Sequence, residues 1–385
     1  MPNPSKSGSM FRPVIQKTRT LAIMAVVSAG CFWFAFNSRV EKVSGNYTLK
    51  VAAAERMKEA MEILKSSRME KGVFIDIEND PNETGLVGAQ FSLITTDEGD
   101  LDAKLTTLDP NFAAAMVELF TRADLQKGDT AAVLLTGSMP GANMATLIAA
   151  DVMGVETVTL ASLGASQWGA NYPSFTWLDM EQILVENGMI PNMSVAASIG
   201  GRNDLGRLLS PKGRNLIIDN IEKHELPLIQ GSNLKDNIQR RMEILEQNGP
   251  KDGYGLLINI GGGVASLGTS FNMKLLGPGL VTRSNIVPIS RQEGIEGVLV
   301  KFVKSGINAL HILNINELTE KLHMPYAPIP IPEIGKGQLY AVEQYNLGVS
   351  AVCFLIVAGM VFAVGRHSHN QINERMKEHE PDSIL

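Results

Sequence analysis

Cysteine is scarce: 385 residues include 2, Cys31 and Cys353, near opposite ends and each inside an uncharged apolar run. That excludes a disulfide framework and a cysteine-rich zinc site. Histidine is nearly as sparse, with 6 residues and no H-E-x-x-H. His224, His311 and His323, the three between the apolar runs, are far apart in sequence. No phosphate-binding G-x-x-x-x-G-K-[ST] occurs, and Gly261-Gly-Gly-Val-Ala-Ser266 breaks the dinucleotide fingerprint at its last position. The nucleophile elbow G-x-S-x-G is also missing, because Gly164-Ala-Ser166-Gln-Trp-Gly169 has one residue too many. Asp76-Ile-Glu78-Asn-Asp80 looks calcium-like, yet Pro81 stands where a calcium loop needs glycine. Neither a cofactor nor a metal is therefore expected. Positive charge is short too: 34 Lys and Arg face 40 Asp and Glu, a net charge of −6. With no global basic field to release phosphate counterions, nucleic acid is not an expected partner.

What the chain has is apolar residues, 44% of the total, enough for a real core. Two runs stand out. Residues 20–36, TLAIMAVVSAGCFWFAF, carry no charge and span roughly 25 Å as a helix. Residues 347–365, LGVSAVCFLIVAGMVFAVG, span roughly 28 Å. Both read as transmembrane helices, since in lipid only a helix satisfies the backbone of a single span. A cleaved signal peptide fits the first run less well, because bulky Phe32-Trp-Phe-Ala-Phe36 replaces a small-residue cleavage site. A lipobox at Ser28-Ala-Gly-Cys31 is disfavoured by the apolar residues that follow. Lys6, Arg12, Lys17 and Arg19 precede the first span, and Arg366, Arg375 and Lys377 follow the second. The positive-inside rule then puts tails 1–19 and 366–385 in the cytoplasm and the middle outside. With those bases assigned to the tails, the middle is more acidic than the whole chain.

Residues 37–325 read as an external α/β domain of one or two lobes. Tyr47–Lys71 has helical spacing, Gly72–Ile77 suggests a strand, and Asn111–Arg122 is helical with Pro110 at its start. The clearest pattern is Ala131–Thr136 as a buried strand, a Gly137–Gly141 turn, a helix over Asn143–Met153 closed by Gly154, and a strand at Glu156–Leu160. This βαβ unit predicts a mostly parallel sheet with flanking helices. Gly255–Ile260, Gly297–Phe302 and Asn308–Ile315 are further strand candidates, and Leu234–Gln247 is an amphipathic helix. Tyr326–Glu333 alternates proline, which excludes helix and central strand. Residues 326–346 read as an extended stalk to the second span.

Candidate chemistry lies where strands end, because open α/β sheets collect ligands at strand carboxyl ends. In Gly137-Ser-Met-Pro-Gly141, Ser138 offers a hydroxyl and Asn143 follows close by; both also suit plain helix capping. After the next strand, Ser162, Ser166, Trp168, Asn171, Trp177 and Asp179 mix hydroxyls, indoles, an amide and a carboxylate. The alternative is that the tryptophans pin a long loop and Asp179 caps the following helix. Arg202, Arg207, Lys212 and Arg214, with Asp204 among them, form a basic cluster suited to carboxylates or simply a solvated face. Gly261, Gly262 and Gly263 form a backbone nest for an anion, or a tight strand-to-helix turn.

Five segments together resemble the bacterial poly-gamma-glutamate system protein family: Leu135–Asn143, Gly164–Asn171, Phe175–Met180, Ser198–Gly201 and Asn259–Gly263. The resemblance extends over nearly the whole chain, spans included, and none of its motifs is a catalytic signature. It implies an envelope protein associated with synthesis or export of gamma-linked polyglutamate, partnered by the membrane, the polymer and the synthase or export subunits, with self-association into a homo-oligomer left open. Two function classes follow. One is a non-catalytic accessory that binds the polymer or the synthase and export subunits. The other is an envelope amide hydrolase or transferase with Ser138, Ser162 or Ser166 as nucleophile, Asp179 as partner, and His224 or His311 brought close by folding. A sensor of envelope anions is a third, weaker class.

Overall fold

The computed structural model describes residues 13–290 and 294–378, so tail bases Lys6 and Arg12 lie outside the described residues. It divides into two compact units, one made of both chain ends up to Val43 and from Ala341, the other of Ser44–Tyr340.

The unit of the chain ends holds two helices, Thr18–Asn37 and Leu347–Glu378, each long and apolar enough to cross a membrane. The second continues well past the expected apolar limit at Gly365. Between them lies a two-stranded ribbon: Arg39–Val43 pairs antiparallel with Ala341–Tyr345, from Arg39 opposite Tyr345 to Val43 opposite Ala341. The ribbon leaves the end of the first helix and leads into the start of the second. The turn at Val14–Gln16 is tied to the far end of the long helix, Val14 N donating to Gln371 Oε1 (3.2 Å) and Ile15 N to Ser368 Oγ (2.9 Å). Cys31 and Cys353, distant in sequence, face each other across the helix pair as free thiols.

The other unit is built on a seven-stranded sheet. Its strands in chain order are β1 Thr130–Thr136, β2 Glu156–Ser162, β3 Ala196–Ser198, β4 Leu228–Ile229, β5 Leu256–Ile260, β6 Gly279–Val281 and β7 Ala309–Ile312. Their spatial order is β6-β7-β5-β1-β2-β3-β4. All neighbours are parallel except edge strand β6, which runs antiparallel to β7. The order reverses beside β1: β2, β3 and β4 build outward on one side, β5 and β7 on the other. That is a topological switch point, and its crevice opens at the carboxyl ends of β1 and β5.

Helices cover both faces, which is why the strands are continuously apolar. On one face α1 Tyr47–Glu70, α2 Leu101–Thr107, α3 Asn111–Arg122 and α4 Pro140–Met153 pack with Val133, Leu135 and Ile258. Next along the chain come α5 Trp177–Glu186 and α6 Pro211–Lys223. On the other face α7 Leu234–Asn248 and α8 Val298–Ser305 pack on Ala132, Leu134 and Leu257. Helix α4 starts at Pro140, earlier than the expected Asn143, because proline fits the first helical turn.

Four expectations change. Gly297–Phe302 is not a strand but the start of α8, whose Lys301, Lys304 and Ser305 face outward at helical spacing while Val298, Leu299, Val300, Phe302 and Val303 are buried. Gly72–Ile77 forms no strand; Phe74 and Ile77 are exposed, and Arg68 reaches instead to the carbonyls of Gly85 and Val87 (both 2.7 Å). The proline-alternating segment is extended but does not stand free. Tyr326 Oη donates to Asp100 Oδ2 (2.8 Å), Ala327 N to Thr106 Oγ1 (2.8 Å), and Asn111 Nδ2 to the Pro332 carbonyl (3.1 Å). Residues 341–345 of the expected stalk are strand. Asn308–Ile315 narrows to β7, with Ile315 starting the helix Ile315–Lys321.

Candidate functional site

The turns after β1, β2 and β3 are laced together at the carboxyl edge of the sheet. Gly137 N donates to the Ser162 carbonyl (2.8 Å), Ala170 N to the Gly137 carbonyl (2.7 Å), Leu163 N to the Ser198 carbonyl (3.0 Å) and Gly164 N to the Ile199 carbonyl (2.8 Å). Close approach demands glycine at Gly137, where a Cβ would sit 2.4 Å from the Leu163 carbonyl oxygen. The fourth turn joins beside β1: Gly261 has φ 87°, and a Cβ there would fall 2.4 Å from Thr136 Oγ1. That hydroxyl is buried without a hydrogen-bond partner. Gly262 is exposed, Gly263 half-buried.

Two polar clusters occupy this edge. The first lies under α7. Arg241 Nη2 donates to Ser162 Oγ (3.0 Å), Ser198 Oγ (2.6 Å) and both carboxylate oxygens of Asp204 (3.0 Å each). Ser198 Oγ also donates to Asp204 Oδ1 (2.7 Å), and Asn237 Nδ2 to Asp204 Oδ2 (3.2 Å). Arg241 is 1% exposed and Asp204 2%, so this is a buried, internally neutral network. Arg202 and Arg207, in contrast, are exposed beside it. Arg214 folds back, Nη1 donating to the Leu209 carbonyl (2.8 Å).

The second cluster centres on Lys104, near the end of α2 and 5% exposed. Its Nζ lies 3.0 Å from Ser166 Oγ and 3.2 Å from Met139 Sδ. Ser166 N donates to Ser138 Oγ (2.9 Å), so Ser138, Ser166 and Lys104 are contiguous. Burial pushes the Lys104 amine down to about 8, against a smaller opposing pull from Asp100. Over the cluster runs the short strand Thr95–Asp97, paired parallel with Ala165–Ser166. Lys104 carries no sequence motif; a lysine in an otherwise buried helix, Ala103–Thr107, is the one signal it leaves.

The remaining residues have structural duties. Asn143 Nδ2 donates to the Thr136 carbonyl (2.9 Å), and neither it nor Ser138 caps α4, which has no side-chain cap. Asn171 clamps a preceding loop, Oδ1 accepting from Ala89 N (2.9 Å) and Nδ2 donating to the Ala89 carbonyl (2.7 Å). Trp168 is half-buried at φ 57°, and Trp177 is fully buried next to Glu181. Asp179 does not join the edge. It forms a capping box with Thr176 at the start of α5 and accepts from Asn220 Nδ2 (3.0 Å) and Lys223 Nζ (2.5 Å), with His224 Nε2 at 3.3 Å. Burial raises the Asp179 carboxyl, but hydrogen bonds from His224, Lys223 and Thr176 outweigh it and hold the group well below the usual carboxylate range. No serine takes part among the described residues, so Asp179 and His224 partner no nucleophile. His311 sits instead against Asn259, Nδ1 to Nδ2 3.0 Å, and burial pushes it down to about 4. Asp80 fixes a turn, accepting from Thr84 N (3.0 Å) and Gly85 N (2.7 Å). Among the described residues no cluster of His, Cys, Asp or Glu is placed to hold a metal ion.

No known family model, curated protein or solved structure matches this chain.

Proposed function

We propose that the chain is a membrane-anchored accessory protein of poly-gamma-glutamate synthesis or export, with its α/β unit outside the cytoplasm and in contact with the polymer or the synthase and export subunits. One observation carries the reading. Four of the five segments behind the family resemblance, Leu135–Asn143, Gly164–Asn171, Ser198–Gly201 and Asn259–Gly263, are the turns following β1, β2, β3 and β5. They gather at the edge where this class of sheet holds ligands.

The anchoring rests on the ribbon. Antiparallel pairing of Arg39–Val43 with Ala341–Tyr345 brings the end of one apolar helix and the start of the other together. Two helices joined there enter a bilayer from the same side, so both chain ends share the opposite face. The bases flanking the apolar runs make that face the cytoplasm.

A polyanion meets mixed charge on this edge. Arg202 and Arg207 are exposed on one part, while Asp97 and Glu98 flank Ser166 on another. Carboxylates are therefore drawn to the arginine side alone, by a short-range attraction that salt screens. Retention of the detergent-solubilised chain on immobilised poly-gamma-glutamate tests this. Binding is expected to weaken from low to high salt and to fall at least several-fold in the R202A/R207A double variant. Retention indifferent to both removes the polymer from the proposal.

A further inference from the structure

Most buried polar groups in the α/β unit have evident structural partners. Lys104 does not fit that pattern. Asp204 neutralises Arg241 and Glu118 neutralises Lys50, but among the described residues no carboxylate touches Lys104. Burying a cation without a counter-charge is costly, and the fold holds it against one hydroxyl and one thioether. Its nitrogen lies 3.0 Å from Ser166 Oγ, within proton-transfer distance. The hydroxyl is in turn held by its own backbone: Ser166 N donates to Ser138 Oγ (2.9 Å), and Ala165–Ser166 pairs with the strand Thr95–Asp97.

We propose that Ser166 and Lys104 form a serine–lysine dyad for acyl transfer, with Ser166 Oγ as nucleophile and Lys104 Nζ as general base, acting on an amide or ester carbonyl. The proposal goes beyond the accessory reading and does not depend on the identity of the polymer.

The chemistry balances with water as the only co-reactant. Ser166 Oγ attacks the acyl carbon while neutral Lys104 Nζ takes the hydroxyl proton; a C–O bond forms and the carbonyl π pair moves to oxygen. Collapse expels the leaving amine or alkoxide, which takes that proton from the Lys104 ammonium, leaving an ester on Ser166. Water, deprotonated by Lys104, then attacks the ester, and Ser166 Oγ recovers the proton as the acid departs. Met139, in contact with Lys104 Nζ, is the residue before α4, a 14-residue helix. The positive end of that helix beside the pair disfavours the ammonium and favours a developing oxyanion. Ser138, whose hydroxyl accepts from Ser166 N, and Trp168, two residues beyond Ser166, are both partly exposed.

The base must be neutral to act. Asp100, at the start of the same helix, is the charged group that favours the ammonium, and burial opposes it more strongly. Reaction is therefore expected to rise with pH through a midpoint near 8.

An alkyl fluorophosphonate, applied to the full chain in detergent, tests the dyad without a known substrate. Phosphonylation is expected at Ser166, with the stated pH profile, and is expected to vanish in S166A. K104M and K104R, each checked for a retained cooperative melting transition, are both expected to react at least about 100-fold more slowly. No adduct at Ser166 in the folded chain overturns the proposal. So does an adduct that forms as fast in folded K104M or K104R, or a rate flat across pH 6–9. A purely structural tether of Lys104 predicts that last set of results.

Discussion

The two polar clusters at the sheet edge use the same residue types to opposite ends. One sets Ser162 and Ser198 against Arg241, the other sets Ser166 against Lys104. Arg241 has Asp204 on the same nitrogen, so its charge is cancelled where it stands. Lys104 has a hydroxyl and a sulfur, and its charge is not. Guanidinium cannot give up its proton, whereas an amine can once burial disfavours the ammonium. A paired arginine under serines makes a rigid joint between strands and α7. An unpaired lysine against a serine makes a group whose protonation follows the pH.

Breaking the first cluster has the largest expected effect. R241M leaves Asp204 buried without a counter-ion and is expected to destabilise the α/β unit by about 3–5 kcal/mol, read as a lowered thermal or denaturant midpoint. An unchanged midpoint removes the distinction between paired and unpaired cations. The matched change in the second cluster has the opposite sign. The Lys104 amine is lowered from 10.5 to about 8 in the folded chain, so between those values the unfolded state binds more protons and stability rises with pH. Below pH 8 the full cost of burying the ammonium is present. K104M removes it and is expected to stabilise at pH 7 by at most on the order of 3 kcal/mol, a gain that fades between pH 8 and 10.5 and is gone above that range. Loss of stability in K104M at pH 7 contradicts the uncompensated burial. The smallest effect is S162A, which deletes one of several acceptors around Arg241 and is expected to cost about 1 kcal/mol.

Much of the scaffold was legible locally. The unit from Ala131 to Leu160 carries its own punctuation: an apolar run, Gly137, Pro140 in the first turn and Gly154 in the left-handed cap at φ 71°. Gly297–Phe302 misled because a short apolar run satisfies strand and buried helix alike. The better clue lay just beyond it, in Gly306 at φ 103°, which ends α8. Gly72–Ile77 had strand-like composition, yet it forms no strand and leaves Phe74 and Ile77 exposed. At the site, the turns were visible as glycine signals, and Ser166 was among the candidate nucleophiles. The partners expected for it, Asp179 and the histidines, are spent instead on a helix cap and on Asn259.

Composition and pattern by themselves determined the two apolar end segments, the parallel α/β body and the glycine turns at strand ends, because each follows from residue types within one or two turns of chain. Which charges are cancelled was decided only by the tertiary structure. Lys104 meets Ser166 across 62 residues and Arg241 meets Asp204 across 37. No local pattern encodes contacts at that separation; they exist because α2 and α7 pack onto the sheet and bring their side chains to the turns that follow distant strands.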